Sequence, residues 1–318
     1  MIKTTSHESA TGKNFDRLSY WNALKAGAHD TAPTVFDFPL TRCITLSDRD
    51  RNAVATRVFD IIARSWPGGS GIDTSTEEGR QAVLRGLNET TRFSIDVKGN
   101  LDRFVALEVE LLDIFTRIGL MHGIVGWQFP VDIRVVHPKP PENYLERKDA
   151  TDYLHCDPWR GEPVDLVNIV QYCEVNDHTS QLELYRVDPH ELPRFEAYKG
   201  DERDSEYLLE GRAPVAFNHR PGQVIVFDGY LPHRTRRLGD SVRISLNFSL
   251  RRSNPYGVID EAWDRPRQAW HKFWFTNEAR VTTFADRCRE ELRRIAATES
   301  KQALEARQEA LKKYFGAV

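Results

Sequence analysis

Apolar residues recur every three or four positions in the first third of the chain, which is the spacing of one face of a helix. They do so in residues 47–66, behind a serine suited to cap a helix N-terminus, and again in 76–87 and 100–120. These three ranges are predicted as helices. Residues 1 to about 30 show no such period and are predicted as a loosely ordered arm or a segment lying on the body of the protein.

Short stretches of strand-forming residues replace this pattern after about residue 125. Pro, Gly and charged loops separate the stretches, and no helical period lies between them. The strands predicted in this way are 127–136, 164–175, 180–187, 223–229 and 242–250. Strands that follow one another without intervening helices favour a sandwich or a barrel over a βαβ fold.

The 318 residues are therefore predicted to form one α+β domain, mainly a β core with flanking helices. Its parts are an N-terminal helical part at 1–124, the β core at 125–252 and C-terminal helices at 253–318. The charged loop at 188–213 is long enough to cover a site, as such loops often do. The helical parts are candidate surfaces for a homodimer, among them a charged helix predicted at 284–315.

Composition and charge exclude several classes of function. A net charge of −3, without a basic stripe, argues against nucleic-acid binding. No apolar run approaches the roughly 20 residues that cross a bilayer, and the N-terminus has the composition of neither a signal peptide nor a transit peptide. Four cysteines without a Cys-x-x-Cys motif indicate reduced thiols. These features predict a cytoplasmic protein that acts on a small molecule, with no nucleic acid or membrane as partner.

A histidine and an aspartate stand two positions apart in the stretch HCDPW at 155–159. On a strand, the side chains of His155 and Asp157 would point the same way. Such a pair is either a polar surface pair or two ligands of a metal that lacks its third. His233, just after the strand predicted at 223–229, would complete a set of two histidines and one carboxylate. That set leaves positions open on Fe(II) for other ligands.

The strand predicted at 242–250 has one polar and one apolar face. Its polar face consists of Arg243, Ser245, Asn247 and Ser249. The apolar face is expected to pack on the flanking helices, so that the polar face lines the inside of a barrel. A buried arginine needs an anionic partner, and its planar guanidinium suits a carboxylate.

Plainer interpretations of the same residues stay open. His155 and Asp157 would then be a hydrogen-bonded pair at a strand end, and Arg243 an ordinary surface arginine. Three further histidines compete with His233 as the third ligand, although none of them precedes an Arg-x-Ser strand: His178, His190 and His219.

Taken together, HCD at 155–157, His233 and Arg243-x-Ser245 resemble the signature of the Fe(II)/2-oxoglutarate-dependent oxygenases, over roughly residues 125–252. The resemblance implies a double-stranded β-helix, or jelly roll, in which the two histidines and the aspartate ligate Fe(II). It also implies that Arg243 grips the far carboxylate of 2-oxoglutarate, with help from Ser245.

The resemblance further implies an enzyme that consumes O2 and 2-oxoglutarate and releases succinate and CO2. Relatives that halogenate carry Gly or Ala at the aspartate position, so Asp157 favours hydroxylation or another oxidative outcome. Desaturation, cyclisation, epoxidation and epimerisation are outcomes of the same chemistry. The expected substrate is a polar small molecule of secondary metabolism, either amino-acid-like or a natural-product intermediate.

Four residues are candidates for the remainder of the pocket. Arg134 shares a face of its predicted strand with Asp132 and is the candidate contact for an anionic substrate group. Asn168, a polar residue within an apolar strand, is a candidate to hydrogen-bond 2-oxoglutarate or a neighbour in the barrel. Trp159 is expected to pack on the carbon skeleton of the substrate, and Asn247 to line its polar side.

Two other classes of function fit parts of the pattern. A cupin-type dioxygenase or isomerase would hold its metal in a similar fold, with more histidines and without a buried arginine. A non-enzymatic β-sandwich that binds a sugar or a partner would make the metal-ligand pattern a coincidence. Dependence on 2-oxoglutarate separates the first of these classes from the oxygenases, and metal analysis separates the second.

Overall fold

The chain is described by a computed structural model, which consists mainly of antiparallel sheet with a few helices, as the predicted fold class requires. The residues that the structure describes are 41–90, 93–121, 124–146, 150–160, 166–187, 191, 198, 200–252, 273–276 and 293. The predicted N-terminal arm, most of residues 188–199 including His190, and nearly all of the predicted C-terminal helices lie outside these residues.

Three helices precede the β core and confirm the three helical predictions. They are Asp48–Ser65 (α1), Glu77–Asn88 (α2) and Leu101–Arg117 (α3). The hydroxyl of Ser47 accepts a hydrogen bond from the Asp50 N–H at the start of α1, and that of Thr76 accepts one from the Gly79 N–H in α2. None of the described helices is long and apolar enough to cross a membrane.

The strands form two antiparallel sheets, one of seven strands and one of two. They are Thr41–Thr45 (β1), Ile124–Phe129 (β2), Asp132–Val136 (β3), Leu166–Glu174 (β4), Gln181–Leu184 (β5), Gln223–Asp228 (β6), His233–Arg236 (β7), Arg243–Arg252 (β8) and Phe273–Thr276 (β9). The large sheet has the order β1-β6-β4-β8-β2-β9, and β3 also pairs with β8. The small sheet pairs β5 with β7.

Two further chain segments lie along the edges of the small sheet. His155 exchanges both backbone hydrogen bonds with His233 of β7, at 3.0 and 2.9 Å. On the other side, the Val215 N–H donates to the carbonyl of Leu184 in β5, at 2.7 Å. The small sheet thus has the HCDPW stretch at one edge and a hydrogen-bonded segment at Val215 at the other.

The large sheet has one face against the helices and the other toward the small sheet. In β8, the apolar residues Ile244 and Leu246 pack into a core shared with α1 and α3, as the alternation predicted. Tyr172 of β4 and Ile225 of β6 belong instead to a second core, which contains Leu182 of the small sheet. The polar face of β8 therefore lies on the side of the small sheet, because Tyr172 is directly opposite Ser245.

The structure differs from the strand predictions at several positions. The predicted strand 127–136 is interrupted at Pro130, which has no N–H for the ladder, and it forms β2 and β3 instead. The sequence of β7, HRTR, has no apolar alternation, and neither this strand nor β1 was predicted. The strand β9 lies in the part that was predicted to be helical.

Glu108 joins α3 to the interruption between β2 and β3. Its side chain is fully buried, and its carboxylate accepts hydrogen bonds from the indole N–H of Trp127 and from the Val131 N–H, the latter at 2.6 Å. Burial raises the pKa of Glu108 to about 8, against the lowering effect of these two hydrogen bonds. The Val131 N–H, which the broken ladder does not use, is thereby satisfied from the helix layer.

We expect Glu108→Gln to lower the free energy of unfolding by about 1–3 kcal/mol, because an amide nitrogen cannot accept and one buried N–H loses its partner. Urea denaturation followed by circular dichroism measures this change. Glu110→Gln is the matched control, since Glu110 lies on the same helix in a partly exposed pair with Arg57. The control is expected to cost less than about 1 kcal/mol.

The same residue predicts a pH dependence. The folded pKa of about 8 lies above the ordinary value of 4.5, so the folded protein retains a proton that the unfolded chain releases between these values. The contribution of Glu108 to stability is complete below this window and is lost as the pH rises through it. The free energy of unfolding should therefore fall less steeply from pH 5 to pH 8 in Glu108→Gln, and equal slopes would contradict the assignment.

Candidate metal centre

His155, Asp157 and His233 lie together in the structure. Each offers a ligand atom, and the three atoms all lie within 4.8 Å of one another, which is the one such group among the described residues. The Nε2 atom of His233 is 3.6 Å from the Oδ1 atom of Asp157, and the two imidazole ring centres are 4.3 Å apart. The structure thus brings together the three ligands that the sequence predicted.

The backbone that carries His155 and Asp157 differs from the predicted strand. His155 forms an isolated bridge with His233, and Asp157 begins a short 3₁₀ helix, Asp157–Arg160. The Asp157 N–H donates to the carbonyl of Gly229 at 2.9 Å, which fixes the start of this turn. A proline follows directly, and its fixed φ favours the first turn of a helix. The two side chains converge although strand alternation does not hold between them.

Backbone carbonyls orient both imidazole rings. The Nδ1 atom of His155 is 2.8 Å from the carbonyl oxygen of Tyr153, and the Nδ1 atom of His233 is 2.8 Å from that of Leu231. A carbonyl only accepts, so Nδ1 carries the proton in each ring and Nε2 keeps its lone pair. Metal-binding histidines commonly have this arrangement, which fixes the tautomer and the ring orientation.

The protonation states suit a metal centre. Burial lowers the pKa of His155 well below its ordinary value and lowers that of His233 to about 4, so both rings are neutral at pH 7. Burial raises the pKa of Asp157 to about 6, while its hydrogen bond from Asn168 and the positive charges of Arg160 and Arg134 lower it. Two neutral imidazoles beside a buried carboxyl form a site in which a divalent cation would favour the carboxylate.

Asn168 lies against Asp157. Its amide nitrogen donates to the Oδ2 atom of Asp157, and its amide oxygen accepts a hydrogen bond of 2.9 Å from the hydroxyl of Ser249. The sequence suggested that Asn168 binds 2-oxoglutarate or a neighbour in the barrel, and in the structure its neighbour is Asp157, one of the three candidate metal ligands. Its contact with the cosubstrate stays a prediction.

Arg243 is a buried cation on the same face of the large sheet. It is 1% exposed, and its Nε and Nη1 atoms make no hydrogen bond with any described residue. Its guanidinium carbon lies 5.9 Å from the centre of the Tyr172 ring. Burial lowers the pKa of Arg243 to about 10, so it keeps its charge at pH 7. Buried N–H groups are normally paired, so the Nε and Nη1 groups of Arg243 could donate hydrogen bonds to an anion.

Tyr172 and His219 lie beside Arg243, and sequence analysis had given neither a role at this end of the site. The hydroxyl of Tyr172 is 3.0 Å from the Nδ1 atom of His219. Burial and the charge of Arg243 lower the pKa of His219 to about 4, so this ring is neutral at pH 7. The period of β4 could have placed Tyr172 here, since it lies four residues after Asn168 on the same face. His219 was one of the alternative third ligands, but it is not part of the group that His155 and Asp157 form with His233.

Ser245 and Asn247 follow Arg243 along the polar face of β8. The Ser245 hydroxyl is fully buried and donates to the amide oxygen of Asn247 at 2.8 Å. Both side chains lie where the alternation predicted. Their contacts with cosubstrate and substrate stay predictions.

Arg134 and Trp159, the two remaining candidates, have different neighbours in the structure. Arg134 is opposite Ser245 in the pairing of β3 with β8, and its Nε–H donates to Asp132 at 3.1 Å. Its positive charge lowers the pKa values of His155, Asp157 and His233, which places it near them. Trp159 is partly buried, and its ring centre lies 4.7 Å from that of Tyr198.

No protein-family model and no curated protein matches the chain. Solved structures with partly similar backbones include the non-heme alpha ketoglutarate dependent epimerase SnoN from nogalamycin biosynthesis, which is 12% identical with a TM-score of 0.34 over 72% of this chain and 86% of that one. The non-heme alpha ketoglutarate dependent carbocyclase SnoK from nogalamycin biosynthesis is 14% identical, with a TM-score of 0.36 over 82% of this chain and 94% of that one. An N-substituted L-amino acid dioxygenase from Burkholderia ambifaria AMMD is 15% identical, with a TM-score of 0.32 over 72% of this chain and 87% of that one. At these identities and TM-scores, the function has to be inferred from the residues of the site itself.

Proposed function

We propose that the protein is an Fe(II)- and 2-oxoglutarate-dependent oxygenase that oxidises a polar small molecule. One observation carries the proposal: two buried histidines and one aspartate come together on the side of the large sheet that also carries Arg243, a buried cation whose Nε and Nη1 lack a partner among the described residues. A metal explains the first feature, and a carboxylate ligand explains the second.

The two sheets support a jelly-roll architecture. In the large sheet, β3, β8, β4 and β6 lie side by side, and in the small sheet the segment at His155, β7, β5 and the segment at Val215 do so. Four antiparallel strands in the large sheet, facing a small sheet that the segments at His155 and Val215 extend, are consistent with a double-sheet jelly roll. The metal ligands would then lie at the end of the barrel where the small sheet meets Asn168.

The donor set fits Fe(II). Two imidazole Nε2 atoms and one carboxylate are the ligands of the facial triad in non-haem iron oxygenases, which leaves positions open for other ligands. The backbone carbonyls behind both Nδ1 atoms and the Asn168 amide behind Asp157 hold these ligands in place. When bound, the iron would supply the O2 chemistry that converts 2-oxoglutarate to succinate and CO2 and oxidises the substrate.

The other end of the site fits the tail of 2-oxoglutarate. The Arg243 guanidinium would pair its free N–H groups with the far carboxylate, and burial would exclude water from that pair. Tyr172 supports the guanidinium from one side, and His219 fixes the Tyr172 hydroxyl. The cosubstrate would thus be held at both ends, and its orientation would follow from the positions of the metal group and Arg243.

The carboxylate and the remaining polar groups suggest the outcome and the substrate. Asp157 occupies the position at which halogenating relatives carry Gly or Ala, so hydroxylation or another oxidation is proposed. Arg134, Asn247 and Trp159 are proposed to bind the substrate, which would be amino-acid-like or a natural-product intermediate. Polar groups left unpaired by an apolar ligand would cost about 1–3 kcal/mol each, which favours a polar one.

A cupin-type enzyme that does not use 2-oxoglutarate is the second candidate. It would bind metal at the same three residues, but it would give Arg243 no ligand. A non-enzymatic binding protein would not need the neutral, oriented histidines. Both candidates are separated from the oxygenase by measuring metal content and 2-oxoglutarate binding on the same preparation.

Replacing His155, Asp157 or His233 with alanine should abolish turnover and weaken Fe(II) binding. The loss of affinity should exceed the roughly 10–100-fold that is typical when a residue supporting a metal ligand is replaced. Anaerobic calorimetry gives the affinity, and succinate release gives the turnover. His178→Ala is the control, because His178 lies on an exposed loop and should leave both unchanged. An unaltered Fe(II) affinity in His233→Ala would show that the third ligand has been assigned to the wrong residue.

Arg243→Ala should cost about 2–5 kcal/mol of 2-oxoglutarate binding, because the far carboxylate loses a buried charge-assisted partner. The KM for 2-oxoglutarate should rise far more than the KM for the substrate, and Fe(II) affinity should persist. Arg243→Lys should restore binding only in part, because an ammonium cannot make the two-pronged contact. If both variants keep the KM of the parent protein, the role belongs to another arginine, and Arg134 or Arg236 is the next to test.

Arg134→Ala should raise the KM for a carboxylated substrate and change the KM for 2-oxoglutarate much less. The reason is that Arg134 is only partly buried, and its Nη groups make no hydrogen bond with a described residue, so they can reach a substrate. A library of amino acids, their derivatives and apolar compounds, screened by substrate-triggered succinate release, identifies the substrate first. Turnover confined to long apolar compounds would contradict the assignment of Arg134 to an anionic group of a polar substrate.

A further inference from the structure

A short 3₁₀ segment, Glu202–Leu209, packs against the stretch that carries His155 and Asp157. Its main contact is a two-pronged ion pair: the Nε atom of Arg160 lies 2.9 Å from one carboxylate oxygen of Glu202, and its Nη2 atom lies 2.5 Å from the other. The two side chains are only 16% and 13% exposed. Arg160 ends the turn that Asp157 begins, so the ion pair is anchored directly to the metal-binding stretch.

The same segment contacts the chain next to the other two ligands. The hydroxyl of Ser205 is fully buried and lies 2.9 Å from the carbonyl oxygen of Leu154, the residue before His155. The carboxylate of Glu206 pairs with Arg234, the residue after His233. The 202–209 segment therefore touches the chain beside each of the three ligands, from outside the site.

We propose that the Arg160–Glu202 ion pair is a positioning element that holds the 202–209 segment against the metal-binding stretch and thereby sets the geometry of the three ligands. The inference rests on the proposed function in one respect, since it assumes that His155, Asp157 and His233 bind a divalent metal. Neither residue of the pair was among the predicted site residues.

Geometry favours a positioning role for this pair. Two parallel hydrogen bonds between a guanidinium and a carboxylate fix the relative orientation of both groups, which an exposed ion pair does not. Arg160 also donates to the carbonyl of Ala150 at 3.3 Å, so its guanidinium joins three parts of the chain. Removing one partner of a nearly buried pair leaves the other charge without compensation, and the surrounding segments then have to move.

A purely electrostatic role makes a different prediction from a positioning role. A cation at residue 160 opposes metal binding and an anion at residue 202 favours it, so charge alone would give opposite effects when the two residues are neutralised. Positioning requires both partners, so each neutralisation should weaken metal binding. The double substitution should then be no worse than either single one, because the interaction is lost only once.

The test is Fe(II) binding to the full chain, measured anaerobically by calorimetry, for Arg160→Gln, Glu202→Gln and the double variant. Each single variant is expected to bind Fe(II) about 10–100-fold more weakly than the parent protein, with the double variant within about twofold of the weaker single one. Hydrogen exchange of the metal-free proteins supplies a second measure, in which the amides of residues 154–160 should exchange faster. Arg203→Gln is the matched control: Arg203 forms an exposed pair with Asp201 beside the same segment, and its loss should change neither measure.

Arg160→Lys covers the case in which a neutral variant does not fold. It keeps the charge and loses the two-pronged contact, so positioning predicts weakened Fe(II) binding and a charge effect predicts none. Opposite effects of Arg160→Gln and Glu202→Gln, or affinities within twofold of the parent protein in both, would overturn the inference. A parent protein that binds no Fe(II) would overturn the proposed function instead, so the two failures are distinguishable.

Discussion

The candidate site depends on one pair of backbone hydrogen bonds, those that His155 and His233 exchange. These residues are far apart in sequence, and the bonds of 3.0 and 2.9 Å place their α-carbons directly opposite each other. Their rings then lie side by side, and Asp157 reaches the same point because its own N–H is fixed by Gly229. The pairing of chain segments therefore brings the three candidate ligands together, and side-chain contacts around them act on a framework that the backbone provides.

The interior between the two sheets has a composition that is unfavourable without ligands. It holds neutral imidazoles, a carboxyl whose pKa is raised to about 6 by burial, and a guanidinium whose Nε and Nη1 atoms have no partner in the part of the chain that the structure describes. Burying such groups without partners costs free energy, which the apolar core between helices and sheet has to offset. A divalent cation at one end and an anion at the other would remove both unfavourable features together. The residues of this interior are thus chemically suited to a divalent cation and an anion.

The sequence was sufficient for features that repeat or that follow a fixed spacing. The apolar stripes of α1 and α3 and the alternation in β8 depend on local periodicity, and Arg243 was placed correctly for that reason. By contrast, β7 consists of polar residues, so only its pairing with β5 makes it a strand. A proline stands at both the turn that Asp157 begins and the interruption at Pro130. The alternation of side chains along a strand does not take account of the backbone restrictions that a proline imposes.

Contacts between polar groups that are distant in sequence could not be predicted from local periodicity or spacing. Asn168 with Asp157, Tyr172 with His219 and Arg160 with Glu202 are each set by the fold, and no spacing in the chain specifies which polar group meets which. Their chemistry was visible in the sequence, but their partners were not. The contacts that orient the candidate ligands could therefore be identified only from the structure.

The two ends of the site are supported in physically different ways. Arg243 projects from a central strand whose apolar face packs on the helices, so its position is secured by the same burial that stabilises the fold. The ligand-bearing segments also contribute apolar residues to the second core, such as Leu154 and Leu231, and in addition they are held by polar contacts. Among these contacts, Glu183 pairs with Arg234 at 2.7 Å and with Arg236 at 3.0 Å. Polar contacts contribute little to global stability compared with apolar burial, yet they fix orientation. It follows that replacing such polar residues would alter the positions of the three candidate ligands while the fold persists. Replacing the apolar residues of β8 would instead change both the position of Arg243 and the stability of the fold.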